Sequence, residues 1–259
     1  MNMNKYRLLA YKKTRNIGDA IQTVAISQYF PKSTAVYRNK MSFIKNKIPF
    51  IINGWIGNSY FPCELPNNKS VYFCGIHSPK NQKHFDNYDY KKIIGVRDEF
   101  TLNKLTNLNF NCELVRCPTL FFENYKGKRE GVYSVDFEGP GKHITHWINS
   151  EMSWPDQWNL AIHFLNIYKK AKEVHTTRLH VVLPCLAFGT TVFFYKKQND
   201  SRFSVLEEID KCKSGERIIV NRNQIDNFEN QFIKFLEKTL QIQIKKDSPK
   251  FPKVINSCI

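Results

Sequence analysis

Short runs of β-branched and aromatic residues alternate along this chain with stretches of helical periodicity, and that alternation constrains the fold more than any other feature. KYRLLAY, STAVY, FIING, SVYFCGI, KKIIGVRD and CELVRCP carry the strand signal in the first half. Between Asp19 and Phe30 the apolar residues Ile21, Val24, Ala25 and Tyr29 recur at helical spacing, until Pro31, which lacks an amide hydrogen, stops the element. EFTLNKLTNL, from Glu99, reads as a second helix. Strands separated by helices are joined by crossovers that leave them parallel, so the pattern predicts an α/β fold on a mainly parallel sheet.

After Thr119 the composition changes to ENYKGKREG, charged and glycine-bearing, which reads as the boundary between two domains. The pattern then restarts with GVYSVDF. A helix follows from Pro155 to about Ala171, with proline where its fixed φ suits the first turn. KEVHTT and TTVFFY are strands around a helix from Arg178 to Phe188 that Gly189 closes, and RIIV supplies one more strand. In NFENQFIKFLEKTLQIQI, Phe228, Phe232, Phe235, Leu236 and Leu240 share a broad apolar face with few basic residues beside it, as in a helix docked on the body. The expected division is residues 1–122, residues 131–225, and a C-terminal helix over 226–245 that packs back on the rest.

Composition narrows the function classes. A length of 259 residues with 42% hydrophobic content allows a sizeable core and argues against disorder. The formal charge of +16 suits an anionic partner, while the abundance of Lys, Asn and Ile equally suits solvated lysines on helix faces. Seven cysteines form an odd, scattered set without a CxxC pair, which points to a reducing, cytoplasmic compartment. No apolar run reaches membrane-spanning length, so any work at a membrane would be peripheral, from its inner surface. There is no GxGxxG, no GxxxxGK[ST] and no GxSxG. His143 and His146 with Glu151 lack a third ligand at convincing spacing, and no metal is expected.

Two polar clusters remain, each where a strand hands over to a helix, the edge at which open α/β sheets bind ligands. HTTRLH places His175, Thr177, Arg178 and His180 within six residues. With Thr177 as the cap, the amides of Arg178, Leu179 and His180 would form a solvent-facing first turn, its dipole and a guanidinium aimed at one spot. Arg178 can fork onto a carboxylate or phosphate, and His180 can exchange a proton near neutral pH. His175 reads as a core-flanking histidine with a satisfied hydrogen bond. TRNIGDAIQ sets Asn16, Gly18, Asp19 and Gln22 around the start of the other helix, where Asp19 is either a helix cap or a functional carboxylate. NGWIGNS, 53–59, and His77 in GIHSP are weaker candidates at strand ends.

Taken in order, NIGDAIQTVA, NGWIGNS, GIHSP, GVRDEFTLNKL, CPTLFF and TTRLHVVLPCLAFGTTVFF resemble the motif series of the polysaccharide pyruvyl transferase family, from about Asn16 to Phe194. That resemblance implies a GT-B-like fold of two Rossmann-like domains. It implies transfer of a pyruvyl group from phosphoenolpyruvate to a pair of sugar hydroxyls on a cell-surface polysaccharide or its precursor, closing a ketal. It assigns Arg178 and His180 to the donor site with Thr177 and Arg202, and Asn16, Gly18, Asp19, Gln22 and His77 to the acceptor side. The catalytic set it implies is His180 as acid/base, Arg178 against the departing phosphate, and Asp19 as base toward the acceptor hydroxyl. The expected partners are phosphoenolpyruvate and a glycan or lipid-linked glycan, with no cofactor and no nucleic acid. Two departures stand out: only about fifty residues separate CPT from TTRLH, so the second domain is short, and Val181 follows the motif histidine where the family more often has a small residue. The same framework also suits a glycosyltransferase that binds a nucleotide sugar over the same helix start, or a reduced relative that only binds.

Overall fold

The computed structural model describes residues 6–43, 48–56, 70–78, 85, 88, 91–196, 200–207, 209–210 and 213–254. Its first six strands fall on the six runs read from the sequence: β1 (Tyr6–Ala10), β2 (Ser33–Tyr37), β3 (Phe50–Trp55), β4 (Val71–His77), β5 (Ile94–Val96) and β6 (Cys112–Leu114). α1 (Gly18–Ser27) follows β1, and α2 (Glu99–Thr106) follows β5. The second half comprises β7 (Val132–Val135), β8 (Lys142–Ile144), α3 (Trp154–Lys170), β9 (Glu173–Thr176), α4 (Leu179–Phe188), β10 (Thr191–Phe194), the short α5 (Ser204–Glu207), α6 (Arg222–Leu240) and β11 (Lys253–Val254). Three motif residues, Gly57 to Ser59 of NGWIGNS, and Pro79 of GIHSP lie outside the described residues, as do Cys63, Cys212 and Cys258. The described cysteines, Cys74, Cys112, Cys117 and Cys185, are free thiols.

The strands assemble into two parallel sheets. One has seven strands in the order β11-β2-β1-β3-β4-β5-β6, the other four in the order β10-β9-β7-β8. This is the α/β, GT-B-like arrangement of two Rossmann-like halves with the second shortened. Strands β1, β3 and β4 read as near-continuous apolar runs because both faces of a parallel sheet are covered; Leu8, Leu9, Phe50, Ile51, Ile52, Phe73 and Ile76 are all fully buried. Among the described residues no helix is long and apolar enough to cross a membrane.

Two local expectations change. RIIV is not a strand: Arg217 makes one isolated antiparallel bridge to Phe193, Ile218 N–H donates to Val192 O at 3.0 Å, and the chain then leaves the edge of β10. The run is too short to extend that pairing before Asn221 caps α6, its side chain accepting from the amide of Asn223. Conversely, β8 and β11 carry no hydrophobic run; β8 is largely exposed, and β11 is two residues of the C-terminal segment laid along β2.

α6 packs on the first half. Phe232 meets Tyr29 and Phe121 at ring-centroid distances of 5.1 and 5.4 Å, while Arg222 Nη1 donates to Ala187 O of α4 at 2.8 Å. The chain beyond it continues across both halves: Asp247 N–H donates to Gln28 O at 2.8 Å, and the buried Trp154 Nε1–H of α3 donates to Pro252 O at 3.1 Å.

The two halves are also joined by backbone. Ile17 N–H donates to His146 O at 3.0 Å, Ile148 N–H donates to Arg15 O at 3.1 Å, and Asn16 and Trp147 form an antiparallel bridge between them. Gln157 of α3 reaches Tyr11 O from the other side at 3.1 Å. The loops leaving β1 and β8 are thereby held edge to edge.

Candidate active site

The loop between β1 and α1 is tied by its own side chains. Thr14 Oγ1 accepts from Asn16 N–H at 3.2 Å and donates to Asp19 Oδ2 at 2.7 Å, and Asn16 Oδ1 accepts from Gly18 N–H at 3.0 Å. Ile17, not Asp19, occupies the helix cap position, so of the two roles open to Asp19 in the sequence the cap falls away. Burial raises its carboxyl above the usual range, an effect that Arg38, the Thr14 hydrogen bond and Arg202 only partly oppose. Gly18 matters for what it lacks: a Cβ there would lie 3.1 Å from Asn16 Oδ1 and 3.3 Å from His180 Nδ1. Gln22 sits deeper, fully buried against Gly54 of β3, with its Oε1 unpaired and its carbonyl accepting from Asn53 Nδ2 at 2.9 Å.

The start of α4 differs from its reading in the sequence. The helix begins at Leu179 with Arg178 at the cap position, and strand alternation turns Thr176 rather than Thr177 toward the amide of Arg178, accepting it at 3.0 Å. Thr177 Oγ1 instead donates weakly to Asp136 O at 3.4 Å. The first-turn donors left are Leu179 and His180. Arg178 is fixed by two neighbours: Nε donates to Asp136 Oδ2 at 2.7 Å, and the guanidinium lies 4.6 Å from the Trp147 ring centroid; the same Asp136 oxygen is held in turn by His146 N–H at 3.2 Å.

His180 is a clear correction. It is not a solvent-facing acid/base of near-neutral pKa but a half-buried imidazole whose Nε2 is buried without a partner among the described residues. Burial, then the positive charges of Arg97 and Arg202, hold it well below the usual histidine range, so it is neutral in the free protein. Val181 is fully buried in the core, and His175 is the satisfied core-flanking histidine expected, bonded to Glu173 at 2.6 Å and Tyr195 at 3.0 Å.

A third strand end completes the site. His77, at the carboxyl end of β4, contacts Asp98 Oδ2 through Nδ1 at 2.7 Å, and its Nε2 meets Ser201 Oγ of the second half at 3.3 Å. Asp98 also caps α2, accepting from Thr101 N–H at 2.8 Å, and accepts from Arg97 Nε at 3.3 Å. Burial lowers the His77 pKa; burial would raise the Asp98 carboxyl, but the His77 hydrogen bond and Arg97 outweigh that and hold it low, so the pair is a carboxylate and a neutral imidazole. Arg97 itself is fully buried, and among the described residues its Nη1 and Nη2 have no hydrogen-bond partner.

The structure therefore brings Asn16, Gly18, Asp19, His77, Arg178, His180 and Arg202 to the facing carboxyl edges of the two sheets. Arg202 is gripped by Asp200, its Nε 2.9 Å from both carboxylate oxygens, and its field reaches Asp19, His77 and His180. Gln22 is not in the open part of the site, and Thr177 contributes a hydroxyl rather than a cap. The sequence reading passed over Arg97, Asp98, Asp136, Trp147 and Ser201. GVRDEF held a usable signal for the first two: a charged pair immediately after a buried strand and before a helix, the same junction that singled out TTRLH. Among the described residues no group of three His, Cys, Asp or Glu side chains could hold a metal. The arrangement suits a small anion: the Arg97 Nη groups and His180 Nε2 are buried without partners among the described residues, the charges of Arg97 and Arg202 act on His180, and Arg202 also acts on Asp19.

The sequence model of the family described as polysaccharide pyruvyl transferase matches residues 16–196. No curated protein sequence matches the chain significantly. The fold is similar to the crystal structure of a functionally uncharacterized protein from Klebsiella pneumoniae subsp. pneumoniae NTUH-K2044, with a TM-score of 0.53 and 16% identity over 80% of this chain and 89% of that one.

Proposed function

The chain belongs to the polysaccharide pyruvyl transferase family, and from that premise we propose that it moves the pyruvyl group of phosphoenolpyruvate onto two hydroxyls of one sugar residue, closing a ketal. The observation that carries the reading is Arg97: a fully buried guanidinium with two unpaired Nη groups, in whose field the unpaired His180 Nε2 is also buried. Asp98 balances the charge through Nε, but a buried donor left without an acceptor still costs about 1–3 kcal/mol, which a bound anion would offset. Phosphoenolpyruvate supplies a carboxylate and a phosphate. Arg97, Arg178, Arg202 and the amides of Leu179 and His180 hold them, with Thr177 at the edge.

In this scheme the donor reverses the local field. Burial and the positive charges of Arg97 and Arg202 keep His180 neutral in the free protein; phosphate and carboxylate match those charges and supply an anion beside the ring, so the imidazole takes up a proton and delivers it to the methylene carbon. C2 then accepts the first sugar oxygen while Asp19, its carboxyl raised by burial, takes the hydroxyl proton. The second hydroxyl attacks C2 as the C–O bond to phosphate breaks. Of the two hydroxyl protons released, one replaces that given to the methyl group and the other leaves with phosphate. Arg97 and Arg178 stabilise the departing dianion, the electrostatic term expected to dominate.

The test is turnover of phosphoenolpyruvate with a glycan acceptor in the presence of chelator, reading inorganic phosphate and the product mass. Phosphate release with a pyruvyl mass gain is expected, together with a donor-dependent rise in Tm. Arg178→Ala and His180→Ala should each lower turnover a hundredfold or more, about 3 kcal/mol. Asp19→Asn should reduce kcat while leaving the donor-dependent rise in Tm. Transfer of a hexose from a nucleotide sugar, with no response to phosphoenolpyruvate, would replace this reading by glycosyl transfer; binding of neither donor would leave a scaffold that only binds.

A further inference from the structure

Four large apolar side chains are exposed among the described residues: Phe100, Trp147, Ile219 and Phe251. Phe251 is spoken for, packed on Trp158 at 5.5 Å. Trp147 is the most conspicuous aromatic, 59% exposed in the loop between β8 and α3, and it stands beside Arg178 and Asn16 of the site. Its backbone bridges Asn16 of the acceptor-side motif, its N–H donates to Thr145 Oγ1 at 3.0 Å, and the Arg178 guanidinium covers one side of its ring at 4.6 Å. The indole is therefore held rigidly with its remaining face toward solvent. Nothing in the core needs it.

We propose that Trp147 is the platform on which the pyranose ring of the acceptor stacks, a reading that rests on pyruvyl transfer and adds to it the place and chemistry of acceptor recognition. A hexopyranose has an apolar face of axial C–H groups and a rim of hydroxyls. Indole is the complementary surface, a large flat apolar body whose negative π-face attracts polarised C–H groups. Arg178 lies against the covered face of the ring, and the backbone bridge to Asn16 ties the ring's residue to the acceptor-side loop. The donor cannot account for the ring: phosphoenolpyruvate is small and trianionic, and its needs are met by guanidinium groups and amides deeper in the cleft. A sugar stacked on Trp147 would have its hydroxyl pair beside the cations that hold the donor.

Saturation-transfer NMR and titration with methyl β-D-galactopyranoside and methyl β-D-glucopyranoside test this on the full chain, comparing wild type with Trp147→Phe and Trp147→Leu. Leucine keeps apolar bulk over Arg178 but removes the aromatic face. Wild type should bind at least one pyranoside, with saturation of the C–H protons of one ring face; Trp147→Leu should weaken that binding about tenfold, and Trp147→Phe should recover most of it. Equal binding in wild type and Trp147→Leu, or no pyranoside binding by wild type, overturns the proposal. Thermal shift with phosphoenolpyruvate, run on the same three proteins, separates the two readings. Trp147-dependent pyranoside binding without any donor response would sink pyruvyl transfer and leave the platform, whereas donor response and turnover with Trp147-independent sugar binding would sink the platform alone.

Discussion

Arg97 is the side chain whose cost to the fold most needs a reason. Its Nε is satisfied by Asp98, yet two further donors are buried and idle, and each such group forfeits hydration without an exchange. Arg97→Met should remove the donor-dependent rise in Tm and lower turnover at least a hundredfold, about 3 kcal/mol, while Asp98 keeps its hydrogen bonds to His77 and Thr101 and the fold survives. A second residue-scale prediction concerns His146, fully buried against Tyr168 with its pKa driven down to about 3 by burial. The unfolded chain takes up a proton there below about 6.5, while the native state refuses it until about pH 3. The stability this neutral histidine permits is thus complete above pH 6.5 and is lost progressively as pH falls, on the order of 4 kcal/mol by pH 3. His146→Gln keeps a partner for the Tyr168 hydroxyl and should make the fall of Tm between pH 6.5 and 4 shallower; an unchanged slope would contradict the assignment. At this scale the sequence was legible where polar residues cluster locally. Arg178 and His180 stand out because a cation and an imidazole interrupt an apolar stretch. Arg97 does not, because its isolation is produced by what surrounds it in space, and the burial of His180 depends on Gly18, far away in the chain, having no side chain.

Elements were legible to the extent that their own composition decides them. α3 announces itself by proline in the first turn and a Ser153 cap that accepts from Asp156 N–H at 3.3 Å, and α4 by the glycine that ends it. Gly189 adopts φ 74°, and a Cβ there would come within 2.9 Å of Asn124 Oδ1. Gly189→Ala should therefore destabilise the fold by about 1 kcal/mol, read as a lower denaturation midpoint at unchanged slope. Activity should survive, since the substitution lies at the end of α4 remote from His180. RIIV and β8 show the limit of such reading. One has strand composition but makes a single bridge to β10 before α6 begins; the other has no strand composition but lies beside β7, which supplies the partners. Pairing is a property of two segments, and a single segment does not report it.

For the molecule as a whole, parallel sheets and two halves followed from periodicity, but the return of the chain did not. After α6 the last described residues lie across α1 and α3 and add β11 to the first sheet as its edge strand beside β2. A chain ended at Lys246 would leave the buried Trp154 Nε1–H without its acceptor, a loss of about 1–3 kcal/mol, and should show a lower Tm and red-shifted tryptophan emission. Unshifted emission would mean that the strap contributes little.

The joint between the halves has a further consequence, for how such a sequence can diverge. What sets the cleft in register is main chain meeting main chain, Ile17 to His146 and Ile148 to Arg15, with Asn16 opposite Trp147. Amides and carbonyls are present whatever side chain is attached. Replacement of Arg15, Ile148 or their neighbours by residues of similar backbone preference would leave these bonds in place, so the catalytic edges stay aligned while the surface around them is rewritten. Selection for a different glycan can then act on the side chains at the mouth without first having to rebuild the alignment beneath them.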